Sequence, residues 1–203
     1  MGIAKIFGYA GLFAFGGIAI ETKLTFAGLL GPLSGPSAIA GIPRSFGLVI
    51  LSLAAYNFWI ITYGAAVGSA RIKYMDKAIK DGEKDAETRY QLPNLYVVGN
   101  TAPARAFNCV QRSHQQILES LSQFNTCALV SGLSFPITTA AMVSLSFAAR
   151  VVWTKGYACS EGDPKKRYDH PLAMHIWTSL FALCGLSFAS GVKFLAGDSL
   201  KFW

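Results

Sequence analysis

The chain has 203 residues, one domain's worth, with 52% hydrophobic residues, only 14% charged residues and a formal net charge of +7. A soluble domain carries about 25% charged residues, and long stretches here carry none, so the composition is that of a membrane protein. The positive charge lies in loops and chain ends, which points to topology and to anionic head groups or ligands; no RNA- or DNA-binding motif supports a nucleic-acid partner.

The opening run, MGIAKIFGYAGLFAFGGIAI, imitates a signal sequence: a lysine followed by apolar residues. No clear small-x-small cleavage site follows, and Glu21 and Lys23 interrupt the run. It therefore reads as an additional hydrophobic helix over 3–20, kept in the mature protein. The next stretch, LLGPLSGPSAIAGIP, is apolar but too rich in Gly and Pro for a regular helix.

Four later segments meet the length of about 20 apolar residues that a spanning helix needs. The first, 45–70, has no charge at all and ends in Gly64-x-x-x-Gly68, a spacing that lets helices approach closely. Residues 71–92, RIKYMDKAIKDGEKDAETRYQL, mix both signs of charge and read as a solvated loop or short helix. The second segment is 104–133, the third 135–157 with Arg150 near its end, and the fourth 172–195 with His175 near its start. The predicted fold is an all-α membrane protein, a four-helix transmembrane bundle with an additional N-terminal hydrophobic helix. Residues 1–44 form the N-terminal helix and connector, and 45–203 the four-helix domain.

Charge predicts orientation. The basic loops 71–103 and 158–170, the latter with Lys165, Lys166 and Arg167, fall on one side if four segments span, and the turn at 134–136 is uncharged. The positive-inside rule sends the basic loops to the cytoplasm, matrix or an equivalent compartment. Cys109, Cys127, Cys159 and Cys184 form no CxxC pair and no zinc spacing, so neither a disulfide framework nor a metal site is expected.

The second segment begins with an unusual concentration of polarity, FNCVQRSHQQILES. On a helix Asn108, Arg112, Gln116, Glu119 and Gln123 form one stripe, widened by Gln111, His114 and Gln115. Ionisable groups inside a spanning helix are costly and usually face a bundle interior or a watery cavity. Two explanations stay open: a structural network with Arg112 and Glu119 as partners, or a site for something small and zwitterionic. Arg71, Arg150 and Arg167 are expected near the same membrane face as Arg112. Clustered cations repel unless an anion sits among them, and a ligand with two carboxylates and one ammonium suits two guanidinium forks and a glutamate.

FNCVQRSHQQILE resembles the second-helix signature of the membrane-associated eicosanoid and glutathione metabolism (MAPEG) family, and is most similar to its type-three microsomal glutathione transferases. Ser69-Ala70-Arg71-x-Lys73-Tyr74 resembles the family's first-helix exit. Arg150-x-x-Trp153-x-x-Gly156-Tyr157 and Asp163-Pro164-x-Lys166-Arg167 resemble its third-helix exit and following loop. The resemblance spans roughly 45–195. It implies a homotrimer of four-helix bundles, with glutathione as co-substrate between neighbouring subunits at the cytosolic face. Arg112, His114, Gln116 and Glu119 would line the tripeptide, with Arg71 and Tyr157 assisting.

Arg167 would be the catalytic residue, standing where the family places an arginine that stabilises the glutathione thiolate. A free thiol is mostly protonated near neutral pH, and a guanidinium beside the sulfur favours the nucleophilic anion. The second substrate implied is lipophilic and arrives through the bilayer. Departures from the family pattern are Gln116 in place of Asn, Trp153 in place of Tyr, Leu121-Ser122-Gln123 in place of an aromatic-proline stretch, and a longer 158–167 loop that makes Lys166 a rival of Arg167.

Three readings follow. The first is an integral membrane glutathione-dependent transferase or peroxidase acting on lipophilic electrophiles or lipid hydroperoxides, in the endoplasmic reticulum or an organelle membrane. The alternative is a non-catalytic accessory subunit of MAPEG fold in a large respiratory or photosynthetic complex, in a mitochondrial or plastid membrane. The third is haem or pigment ligation through His114 or His175, for which a simple hydrogen-bonded histidine is the expected role instead.

Overall fold

The computed structural model describes residues 3–37, 39, 41–158 and 161–196. Among them are six α-helices and no strand. Four helices, α1 (Ile3–Phe26), α2 (Phe46–Lys80), α5 (Pro136–Ala158) and α6 (His175–Ala196), are long and apolar enough to cross a membrane. Helix α4 (Ala102–Ser134) is 33 residues long, about 50 Å of helix, and carries the polar stripe. The chain is thus an all-α membrane protein, with α2, α4, α5 and α6 as its four main helices and α1 as the additional N-terminal one. The domain division at residue 44 remains an expectation.

Two helices run beyond their predicted ends. Helix α1 passes straight through Glu21 and Lys23, because the Glu21 carboxylate has a partner. It accepts from the backbone N–H groups of Ile137 (3.0 Å) and Thr138 (2.8 Å) and from the Thr138 hydroxyl (2.6 Å). The first N–H groups of any helix lack intrahelical acceptors and attract negative charge. Glu21 meets both needs for α5 and is buried.

Helix α2 continues ten residues past 70, where a loop or short helix was expected. Val67, Ala70, Tyr74 and Ala78 recur at helical spacing and pack on Phe107, Val110 and Tyr90, so burial on one face sustains the helix while its charges other than Arg71 face outward. It stops at Gly82, whose φ of 75° suits glycine. A short helix, α3 (Ala86–Tyr90), follows. The Gly/Pro connector behaves as read: a 3₁₀ turn at Gly31–Ser34 and an isolated bridge between Pro36 and Pro43.

The chain forms two compact units. One comprises Met1–Tyr56, Leu121–Ala148 and Met174–Trp203. Here α1 packs along α6, with Phe7 4.6 Å from Phe181 and Phe13 5.8 Å from His175. Small residues allow close approach: Gly17 lies against Thr138, and a Cβ on Gly132 would meet Phe46 and Val49 at 3.0 and 3.1 Å. Tyr56 packs between Phe124 and Phe147. Ser131 donates back to the Cys127 carbonyl of its own helix, and Ser187 donates to the Leu183 carbonyl of its own helix and to that of Cys127 on α4.

The other unit comprises Asn57–Ser120 and Ala149–Ala173. Its core joins the end of α2, α3 and the first turns of α4. The connection 91–101 is pinned by side chain to backbone bonds. The Asn108 amide both accepts from the Val97 N–H (2.8 Å) and donates to the Val97 carbonyl (2.9 Å). Arg89 donates to the Val98 carbonyl and pairs with Glu83 at 2.8 Å. All the residues marked out as a site lie in this second unit.

Candidate functional site

Arg112 and Glu119 lie two turns apart on α4, and their side chains form a two-pronged ion pair. One prong joins Arg112 Nη1 to Glu119 Oε1, the other Nη2 to Oε2 at 3.0 Å. A guanidinium matched to a carboxylate in this fork is the strongest common form of charged hydrogen bond. The pair is not buried in the chain: the side chains are 48% and 57% exposed.

Gln116 lies between them in sequence but turns to another partner. Its amide oxygen accepts from Arg150 Nη1, while Arg150 Nη2 donates to the Ser120 hydroxyl at 3.1 Å. Arg150 is only 3% exposed and its guanidinium lies 5.7 Å from the Trp153 ring. A buried arginine needs such partners, because an uncompensated charge in a low-dielectric interior costs several kcal/mol. Gln116 and Ser120 are one helical turn apart, which places both beneath one guanidinium.

His114 packs against α2. A Cβ on Gly64 would lie 3.0 Å from its Nε2, and the Tyr63 ring stands 5.9 Å away. Of the two spaced glycines, Gly64 therefore makes the close approach, while Gly68 faces open space. Beside it the Tyr63 hydroxyl bonds Ser113, which is fully buried. Arg71 does not end its helix. It sits within α2, donates to the Tyr90 carbonyl at 3.0 Å and covers the Phe107 ring at 4.6 Å. That holds α3 against α4.

Arg167 lies in a 3₁₀ turn, Pro164–Tyr168, whose start is capped by Asp163 accepting from the Lys165 N–H. Its guanidinium stands 5.3 Å from the Tyr157 ring and 4.8 Å from Tyr168, and it donates to the Pro164 carbonyl. Gly156 permits this: a Cβ there would meet the Lys166 carbonyl at 2.7 Å and Arg167 Cα at 3.2 Å. The Lys166 side chain is exposed, so Arg167 is the cation set against Tyr157. Tyr157 is also within electrostatic reach of Arg112 and Cys109.

The predicted residues thus divide. Arg112, Glu119, Tyr157 and Arg167 come together on the accessible side of α4 and α5. Gln116 joins Arg150, His114 joins Gly64, and Arg71 joins the α3 connection. Ser120, Ser113 and Tyr168 were missed; Ser120 was readable, standing one turn after Gln116. Among the described residues no group of three or more His, Cys, Asp or Glu gathers to hold a metal ion. His175, the other haem candidate, has its buried Nδ1 unpaired among these residues and packs near Phe13. Cys109, Cys127 and Cys184 are free thiols, and Cys159 lies outside the described residues.

No solved structure gives a significant match to the chain. The sequence model of the MAPEG family matches residues 49–189, which carry the helices and the cluster just described. The chain therefore belongs to the MAPEG family, membrane proteins that generally work with glutathione.

Proposed function

We propose that the chain is an integral membrane glutathione-dependent transferase or peroxidase acting on lipophilic electrophiles or lipid hydroperoxides, nearest in kind to the type-three microsomal glutathione transferases. The observation that carries this reading is the Arg112–Glu119 pair, exposed on α4 with Tyr157 and Arg167 at hand. Each ion of an exposed pair is open to a partner from outside the chain, and a neighbouring subunit with a charged ligand would cover it. A homotrimer, the family's assembly, supplies that neighbour.

The donor set fits glutathione, which offers two carboxylates, an ammonium and a thiol. Arg112 would take a carboxylate, Glu119 the ammonium, and Tyr157 would orient the tripeptide by its hydroxyl. His114 and Gln116 shape the wall of α4 from within, and Arg71 fixes the α3 connection beside it. When bound, glutathione supplies a sulfur nucleophile, effective as the thiolate. Arg167 would favour that anion by holding its positive charge near the sulfur. In transfer, a sulfur–carbon bond forms as the leaving group departs with its electron pair. In peroxide reduction, two thiols and one hydroperoxide give a disulfide, an alcohol and water.

Isothermal calorimetry on the detergent-purified full chain tests the assignment. Arg112→Ala is expected to abolish glutathione binding while the unfolding midpoint stays put. Unchanged binding in that variant would remove Arg112 and its neighbours as the site.

A further inference from the structure

A cavity lies in the first unit, beside Glu21. It holds about 430 Å³, within the range of ligand pockets. Its walls come from the last turns of α1, the connector, the α4–α5 turn and the end of α6. Much of this lining, including Glu21, Thr22, Phe26 and Lys193, falls outside the family-matched segment 49–189, so the cavity is a feature added with the N-terminal helix.

Its chemistry is asymmetric. The Glu21 carboxylate is engaged by three donors at the start of α5, two backbone N–H groups and the Thr138 hydroxyl. Lys193 is the cation of the lining, half-buried, 5.3 Å from the Phe135 ring and in no ion pair among the described residues. The hydroxyl-bearing Thr22 and Ser134 also line the cavity. Phe26 and Leu133 form an exposed apolar rim, Phe26 being 82% exposed. One available positive charge, hydroxyl donors and an outward apolar shelf at the end of two spanning helices describe the surroundings of an amphiphile. Lysine snorkels at such depths to reach a polar head group.

We propose that this cavity binds one glycerophospholipid, its phosphodiester on Lys193 and its acyl chains on the apolar rim of Phe26 and Leu133. The proposal stands independently of the glutathione reading.

Native mass spectrometry of the delipidated full chain in detergent tests it with three probes. Phosphatidylglycerol is expected to bind at one per chain. Diacylglycerol, with the tails but no phosphate, should bind about tenfold more weakly, and glycerol 3-phosphate, with the head but no tails, should not compete. Lys193→Ala should lower phosphatidylglycerol binding about tenfold and Lys193→Arg should keep it, with glutathione binding unaltered in both. Thr22→Phe, which fills the cavity without touching Lys193, should block the lipid if Lys193→Ala fails to fold. Equal phosphatidylglycerol binding by the parent, Lys193→Ala and Thr22→Phe overturns the site. Competition by glycerol 3-phosphate at concentrations matching the lipid makes the ligand a soluble phosphate and overturns the lipid assignment.

Discussion

Glu21 and Glu119 are both carboxylates on hydrophobic-protein helices, and they live differently. Glu21 is 8% exposed and bound by the fixed donors of another helix's first turn. Glu119 is 57% exposed and bound by Arg112, a side chain that can swing to another partner. The first arrangement is closed: both carboxylate oxygens have donors fixed at the start of α5, and nothing can exchange without opening the packing of α1 on its neighbours. The second is open: each ion holds the other in place until something of complementary charge arrives. Burial and partner rigidity, rather than charge itself, separate polarity that holds a fold from polarity that can recognise a ligand.

The contrast can be broken experimentally at several points. Glu21→Ala should cost the most, about 2–4 kcal/mol, since charged hydrogen bonds of this kind contribute about 1.5–3 kcal/mol and the donors would be stranded. Glu21→Gln, which keeps an acceptor, should cost less. Thermal unfolding in detergent reads both, and a costless Glu21→Ala would erase the distinction drawn here.

Gly156→Ala comes next, at about 1–3 kcal/mol, because the new methyl meets the rigid Lys166 carbonyl rather than a movable side chain. It should also displace Arg167 from Tyr157, so any glutathione-dependent activity should fall further than stability. Gly64→Ala should be milder, since His114 can yield a few tenths of an ångström, and Gly68→Ala, facing open space, should be neutral or slightly stabilising.

Tyr90 offers a pH test. Burial first, then the charge of Glu83, raises its phenol from 10.0 to about 12. Between those values the unfolded chain loses a proton that the folded chain retains, so stability should fall as pH rises through this window. Tyr90→Phe should remove that alkaline decline. Its buried hydroxyl has no hydrogen-bond partner among the described residues, so the change should not weaken the fold near neutral pH. The smallest effect belongs to Glu119→Ala, for which the unfolding midpoint should not move, as exposed ion pairs stabilise little. A marked drop would make the pair structural after all.

Much of this was legible in the sequence, for identifiable reasons. The long helices announce themselves because a bilayer demands length and apolarity. The Arg112–Glu119 pair was readable because seven residues make two turns. The continuation of α2 was hidden by its charges, although the Val67–Ala70–Tyr74–Ala78 stripe was there to be seen. What could not be read were partnerships across long stretches of chain: Gln116 with Arg150, Arg71 with the Tyr90 carbonyl, Glu21 with α5. Periodicity says which face a side chain occupies, and says nothing of which distant element arrives there.

The bond from Glu21 to the start of α5 also has a meaning in time. The acceptor is synthesised 116 residues before its donor at Ile137. During synthesis α1 must wait in the membrane with an unanswered carboxylate, and α5 enters with unanswered amides, until the two meet. Whatever attends the nascent chain must shelter that charge across the making of α2 and α4, and docking of α1 then becomes the step that licenses the last helices to settle.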